Sequence, residues 1–237
     1  MSHKHELREQ RTGTVINKTS LRQEGKLKNA VCSVQERLQH EFPGIQLNLR
    51  SQWNLKDIVK KLKNNFPDVK SGCYHATSSM RPDGGILEIF DRKGISYPIL
   101  ISEIKNQGTN DALTREGKPT QAKGNAIERL GKNVIGFRAA LLHEGIFPFV
   151  CFGDGCDFAP GSTILDRVVT IAMFGPLNEE CLYNNGSKNL FNRGSFYFRE
   201  KKWTEEEMAE LSYSIAEKSV RYYFDKYGKD TFIPLKK

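Results

Sequence analysis

The sequence has few of the features that build metal-binding or disulfide-linked domains. Its five cysteines are odd in number and include no CxxC pair, so neither a disulfide framework nor a zinc ribbon is predicted. Its five histidines are scattered without the spacing of zinc ligands, which disfavours a histidine-based zinc enzyme. We therefore expect reduced thiols, as in a cytosolic protein.

Long apolar runs are also absent. The first residues, MSHKHELREQRTGT, lack the apolar segment of a signal peptide. No stretch approaches the roughly 20 apolar residues that a helix needs to span a bilayer. The sequence thus predicts a cytoplasmic protein with no membrane partner.

Positive charge is what the chain has in excess. Its 36 lysines and arginines against 28 acidic residues give a formal net charge of +8. This balance favours polyanionic partners through counterion release, although a basic protein need not bind any. With 237 residues, 38% of them hydrophobic, the chain can bury a substantial core, and we expect a single domain over residues 1–237.

Hydrophobic periodicity predicts an α/β domain with a mixed sheet. Residues 1 to about 25 are basic, with little apolar periodicity, and predict a mobile arm. Helical patterns follow at Leu27–Phe42, after Asn54, in 124–145, and after Thr204, which forms a capping box with Glu207. Strand patterns lie at Ile45–Leu49, in the hairpin of residues 81–108, in FPFVCFG (147–153) and in TILDRVVTIAMFG (163–175). Polar loops are predicted at Asn106–Lys123 and Asn184–Gly194.

The hairpin segment RPDGGILEIFDRKGISYPILISEIKNQG brings three charged side chains together. Because side chains alternate along a strand, Glu103 and Lys105 share one face. A turn at Asp91–Gly94 would place Asp83 one residue from Glu103 across the hairpin. Two carboxylates beside one lysine suit Mg²⁺, which takes a few protein oxygens and keeps water and phosphate oxygens as its other ligands.

The hairpin register decides whether these groups converge. The predicted turn pairs Phe90 with Ile95 and Ile86 with Ile99, which would point Asp83 to the wrong face. A bulge at Gly84-Gly85 would correct its direction, since glycine tolerates the backbone angles that re-aim a strand. The alternatives are a register shifted by one residue, or an ordinary surface hairpin with a cross-strand ion pair.

Three segments, RPDGGILEI, SEIKNQG and GNAIERLGKN, resemble in order and spacing those of the EcoRI restriction endonuclease family of the PD-(D/E)xK nuclease superfamily. The likeness runs from about Val31 to FPFVCFGDG and returns faintly near Trp203. It implies a restriction-endonuclease-like mixed central β-sheet flanked by α-helices on both faces. It also implies a prokaryotic type II restriction endonuclease, a homodimer on palindromic double-stranded DNA that uses Mg²⁺ and no nucleotide cofactor.

The resemblance also implies a role for individual residues. Asp83 and Glu103, together with Ile104, would hold Mg²⁺, and Lys105 would complete the catalytic centre. The residues implied to bind DNA are Lys123, Gly124, Asn125, Ala126, Glu128, Arg129 and Lys132. Among them, the side chains from Asn125 to Arg129 would read the bases of a central AATT, and the cut would leave 5′ extensions.

Other interpretations of these residues stay open. Asn125 followed by Glu128 also fits a capping box, which would leave Arg129 and Lys132 as ordinary solvated residues. The chain departs from the family pattern by a shortened segment between about 169 and 195, by Ser51 in place of an acidic residue, and by Lys123 in place of a small one. Rival functions are a structure-specific repair or recombination nuclease of the same superfold, and a non-catalytic DNA-binding protein.

Overall fold

The structure is a computed structural model, and it describes residues 15–106 and 125–233. Its strands are β1 (Gln46–Arg50), β2 (Trp53–Asn54), β3 (Ser79–Met80), β4 (Gly85–Phe90), β5 (Ser96–Asn106), β6 (Phe149–Asp154) and β7 (Ser195–Arg199). Its α-helices are α1 (Val15–Glu41), α2 (Leu55–Asn65), α3 (Asn125–Ala140), α4 (Thr163–Ile171), α5 (Lys188–Phe191) and α6 (Glu205–Tyr227). Short 3₁₀ turns lie at Cys156–Phe158 and Lys229–Thr231.

A mixed sheet of five strands forms the centre, in the order β1-β4-β5-β6-β7. The pairs β1–β4 and β4–β5 are antiparallel, whereas β6 and β7 run parallel to β5 and to each other. One face of the sheet shares a buried core with α1 and α6, and the other shares a core with α2, α3 and α4. This arrangement confirms the predicted mixed sheet with helices on both faces.

Alternation along β5 connects the two cores. Leu100 and Ile104 point into the core on the α1 and α6 side, and Ile101 points into the core on the α3 side. Because Glu103 and Lys105 share the face of Ile101, the strand directs both charged side chains toward α3. The alternation predicted for β5 is therefore confirmed.

The predicted arm is shorter than residues 1–25, because α1 begins at Val15. Gln23 is buried in this helix, and its side-chain amide donates to both carboxylate oxygens of Asp154, at 2.6 and 2.7 Å. This contact with the end of β6 depends on tertiary packing, which the polar sequence of the segment does not indicate. Residues 1–14 of the predicted arm lie outside the described residues.

The hairpin register differs from the prediction. Phe90 pairs with Ser96 rather than Ile95, and Ile86 pairs with Ile101 rather than Ile99. The loop is longer than predicted because the Asp91 carboxylate accepts from the backbone N–H groups of Lys93 and Ile95. The sheet irregularity lies between Leu87 and Glu88, not at the two glycines.

Two predictions in the last third of the chain were wrong. The segment TILDRVVTIAMFG forms α4, not a strand: Ser162 caps this helix by accepting from the Ile164 N–H, and Ile164 and Val168 bury one side of it. The strand that follows β6 in the sheet is β7, which begins directly after the segment predicted as a loop. That predicted loop also contains the short helix α5.

The remaining long elements follow their predictions. The helix α6 begins with the predicted capping box, in which Thr204 accepts from the Glu207 N–H and Glu207 accepts from the Thr204 N–H. Asn54 occupies the N-cap position of α2, but its side chain makes no capping hydrogen bond. No helix among the described residues has the length and hydropathy required to cross a membrane.

Candidate active site at the end of the central hairpin

Asp83, Glu103 and Lys105 come together where β4 begins and β5 ends. The Lys105 ammonium lies 2.9 Å from Asp83 Oδ2 and 2.5 Å from Glu103 Oε1. Glu103 is 1% exposed, while Asp83 is partly open to solvent. The structure therefore brings the three predicted charges into one partly accessible cluster.

Backbone hydrogen bonds hold the two carboxylates in a reciprocal arrangement. The Asp83 N–H donates to Glu103 Oε2, and the Ile104 N–H donates to Asp83 Oδ2, both at 3.2 Å. Each carboxylate is thus oriented by the chain segment that bears the other. Such an arrangement fixes both groups without adding further charge to the site.

The glycines before β4 allow the chain to approach its neighbours closely. A Cβ at Gly84 would lie 2.2 Å from Ser102 Oγ and 2.8 Å from the Leu27 side chain of α1. Gly85 has a φ of +86°, which side-chain-bearing residues rarely adopt. The sequence Asp-Gly-Gly therefore places Asp83 beside both α1 and β5, although the predicted bulge is absent at these glycines.

Burial and charge pairing oppose each other in the cluster, and a different one prevails at Glu103 than at Lys105. Burial raises the pKa of Glu103 above its ordinary value, and the Asp83 carboxylate adds to this effect against the opposing effect of Lys105. Burial disfavours the charged form of Lys105, but Glu103 and Asp83 outweigh it and raise the pKa of Lys105. With both carboxylates ionised and Lys105 protonated, the cluster has a formal charge of −1.

Two further polar residues at this site were not identified from the sequence. Asn133 of α3 donates from its side-chain amide to Glu103 Oε1 at 3.2 Å. Burial raises the pKa of Glu24 on α1, and the negative charge of Asp83 adds to this effect. Both residues lie far from the hairpin in sequence. The signal that the sequence offers for each is its position, as a polar residue next to the buried apolar stripe of a helix.

The predicted DNA-binding residues lie on or just before α3. Arg129 and Lys132 are exposed on this helix. Lys123 and Gly124 lie outside the described residues, as do the side chains of Asn125, Ala126 and Glu128 at the beginning of α3. Their predicted contacts, and the alternative capping role of Asn125 and Glu128, therefore stay predictions. Ser51 is exposed between β1 and β2.

The donor set of the cluster fits a hard divalent cation. Within residues 15–106 and 125–233 no three acidic, histidine or cysteine side chains converge as a ready-made metal cage. Mg²⁺ does not require such a cage, because it commonly takes one or two carboxylates and keeps water and phosphate oxygens. The carboxylates of Asp83 and Glu103 are oxygen donors of this kind. The predicted third donor, the backbone carbonyl of Ile104, stays a prediction. A cation would also offset the negative charge of the buried Glu103.

Comparison with known proteins assigns the chain to a family. A family model described as restriction endonuclease EcoRI matches residues 10–164, more than half of the chain. The type II restriction enzyme RsrI of Cereibacter sphaeroides is 32% identical over 233 aligned positions, which cover 84% of each chain. The type II restriction enzyme EcoRI of Escherichia coli is 28% identical over 234 positions, covering 84% of this chain and 83% of that enzyme. The chain therefore belongs to the EcoRI restriction endonuclease family and is a type II site-specific deoxyribonuclease.

Proposed function

We propose that this enzyme is a Mg²⁺-dependent homodimer that cuts both strands of duplex DNA at a palindromic site with a central AATT, leaving 5′ extensions. The observation that supports cleavage most strongly is the cluster of Asp83, Glu103 and Lys105. The cluster combines two oriented carboxylates with the Lys105 ammonium, and it is partly open to solvent. The two hydrophobic cores cover opposite faces of the same sheet, which supports a single domain.

The metal is proposed from the chemistry of the donors. Asp83 and Glu103 would hold Mg²⁺, and the Ile104 carbonyl would be a further oxygen ligand. When bound, Mg²⁺ would polarise the scissile phosphate and lower the pKa of a water molecule. The reciprocal hydrogen bonds between the two chain segments keep both carboxylates in place before DNA arrives.

Lys105 acts in this proposal as a charged group. In the metal-free cluster the two carboxylates raise the pKa of Lys105, which favours the ammonium form and a role through charge rather than as a general base. An ammonium at this position can orient the attacking water and offset negative charge that develops on the phosphate. Replacing Lys105 with alanine should therefore reduce the cleavage rate severely without unfolding the chain.

Sequence recognition is assigned to the beginning of α3. A helix N-terminus adds positive potential, and Arg129 and Lys132 are exposed on this helix. Arginine donates to purine acceptors and glutamate accepts from base amino groups, so Arg129 and Glu128 suit base readout in the major groove. The choice of AATT rests on the resemblance of the segment GNAIER to the family.

The homodimer is proposed because two-fold protein symmetry matches a palindromic site. Exposed apolar side chains support it: Ile135 on α3 is 69% exposed, and Phe174, which follows α4 in the chain, is 78% exposed. The end of α4 packs against α3, since a Cβ at Gly131 would lie 3.6 Å from the Ile171 side chain. A second copy would cover these side chains and bring two cleavage sites onto one duplex.

Sequencing of the ends produced from a randomised duplex library tests the proposal. Purified enzyme is incubated with the library and Mg²⁺, with the Asp83→Ala variant and a chelator as controls. We expect discrete ends with 5′ extensions around a central AATT. Diffuse nicking would favour the structure-specific nuclease, and no cutting would favour a non-catalytic DNA-binding protein. A consensus without AATT would contradict the recognition half of the proposal and leave the cleavage half standing.

A further inference from the structure

Asn133 connects α3 to the buried carboxylate of the cluster. Its side-chain amide donates to Glu103 Oε1 at 3.2 Å, and the same oxygen lies 2.5 Å from the Lys105 ammonium. The other oxygen, Glu103 Oε2, accepts from the backbone N–H of Asp83. Through the side chain of Asn133, α3 thus makes a hydrogen bond that orients the Glu103 carboxylate.

The position of Asn133 on α3 relates this contact to the surface assigned to DNA. Arg129 and Asn133 are four residues apart, so they lie on the same side of the helix. Leu130 and Val134, the residues that follow each of them, are fully buried against the sheet. The turn of α3 between Arg129 and Asn133 is anchored by these two buried side chains, so a displacement of that turn would move both residues together.

We infer that Asn133 is a positioning residue that couples the seating of α3 on a cognate DNA site to the orientation of the Glu103 carboxylate. The inference rests on the proposed function, in which α3 reads the DNA and Glu103 holds Mg²⁺. On a cognate site α3 contacts the DNA bases. The Asn133 side-chain amide then holds Glu103 Oε1 in the orientation needed for cleavage. On other sequences α3 makes fewer contacts with the DNA, and the Glu103 carboxylate loses its hydrogen bond from Asn133.

Two substitutions remove the amide donor without adding charge. Asn133→Ala leaves room for a water molecule that can replace the donor, whereas Asn133→Leu fills the space and excludes water. Both residues are better helix formers than asparagine, so neither change should weaken α3 itself. Thermal unfolding of each variant checks that the fold is retained, and the alanine variant decides the matter if the leucine variant does not fold.

Asn64 provides a matched control. It is exposed on α2 beside Ser96, at the opposite end of β5 from Glu103, and it belongs to neither the cleavage nor the DNA-binding residues. Asn64→Ala and Asn64→Leu therefore make the same chemical changes on another helix. Both should leave DNA affinity and cleavage at wild-type values.

The test separates binding from cutting. The duplex contains whatever site the wild-type enzyme is found to cut, so failure of the AATT proposal does not affect this experiment. The dissociation constant of the enzyme–duplex complex is measured without divalent ions. The single-turnover rate of duplex cleavage is measured over a range of Mg²⁺ concentrations. We expect both Asn133 variants to keep the dissociation constant within about threefold and to cleave at least about tenfold more slowly, as for loss of a hydrogen bond to a charged group.

The metal dependence supplies an independent readout. A less well oriented Glu103 should raise the Mg²⁺ concentration needed for half-maximal cleavage, and Asn133→Leu should raise it at least as much as Asn133→Ala. Wild-type rates and Mg²⁺ dependence in both variants would overturn the inference. A parallel loss of affinity and rate would also overturn it, since Asn133 would then act as a DNA contact.

Discussion

Two buried glutamates near opposite ends of β5 show how differently a carboxylate can be accommodated. Glu144 lies beside the start of β5, and burial alone would raise its pKa. Hydrogen bonds from His143 and Lys226 outweigh burial and lower the pKa of Glu144 to about 2. Its contacts within 3.3 Å are Lys226 Nζ, the hydroxyls of Tyr222 and Tyr227, and His143 Nε2.

Glu103, near the other end of β5, is buried without equivalent compensation. Among the residues that the structure describes, the cation that contacts Glu103 is Lys105, which Asp83 shares, and burial prevails and raises the pKa of Glu103. The contrast indicates different uses for the two groups. Glu144 is paired with Lys226, whereas Glu103 and Asp83 share a single lysine, an arrangement that fits the proposed Mg²⁺ site.

The largest expected effect comes from removing a carboxylate of the cluster. Asp83→Ala should reduce cleavage by about 10³-fold or more, because a proposed Mg²⁺ ligand is lost. Specific DNA binding should stay measurable, since the base contacts are not deleted. Cleavage assays and metal-free binding on the same duplex check this, and turnover at the wild-type rate would remove Asp83 from the site.

Changes on α3 should act on sequence choice instead. Arg129→Lys keeps the charge and Glu128→Gln removes one negative charge, while both alter donor and acceptor geometry, so non-specific binding should not weaken. Discrimination for AATT-centred sites should fall by about 1 to 3 kcal/mol for each lost base contact. Competition between cognate and scrambled duplexes measures it, and equal losses on both would instead indicate phosphate contacts or helix capping.

Acid should weaken the Glu144 end of the molecule. The folded-state pKa of about 2 lies below the ordinary value of 4.5, so the unfolded chain binds more protons between these values. Stability from Glu144 is therefore present above pH 4.5 and is lost as the pH falls toward 2. Glu144→Gln should flatten this part of the urea unfolding profile against pH, and an unchanged slope would show that Glu144 contributes little.

The smallest effect is expected from the first residues. Lys4, Arg8 and Arg11 should add non-specific affinity for DNA, and deletion of residues 2–14 should weaken binding and flatten its salt dependence. The deletion ends before Val15, where α1 begins. An altered cleavage consensus with an unchanged salt slope would show that these residues take part in sequence choice.

Strong periodicity made part of the fold predictable. The apolar stripe of α3 predicted a helix and the continuous apolar run of β6 predicted a strand. Both elements form and bury these side chains in the core. TILDRVVTIAMFG misled because β-branched residues favour strands, while the Ser162 cap and the burial of Ile164 and Val168 stabilise a helix. Tertiary context thus decided where local propensity was ambiguous.

The candidate site was predictable as a group of residues but not as a geometry. The period of two along β5 placed Glu103 and Lys105 together, and the structure keeps that alternation. The hairpin register was wrong because the contacts of the Asp91 side chain lengthen the loop. Asn133 was missed because its contact with Glu103 joins residues 30 positions apart, and no local pattern encodes that distance.

The most direct test of the contrast compares Glu103→Gln with Glu144→Gln in the same assays. We expect Glu103→Gln to lose cleavage by about 10³-fold or more while its free energy of unfolding stays at or above the wild-type value. Glu144→Gln should lose about 1 to 3 kcal/mol of unfolding free energy and cleave at the wild-type rate wherever it is folded. Cleavage by Glu103→Gln at the wild-type rate would contradict the assignment of the site to this cluster.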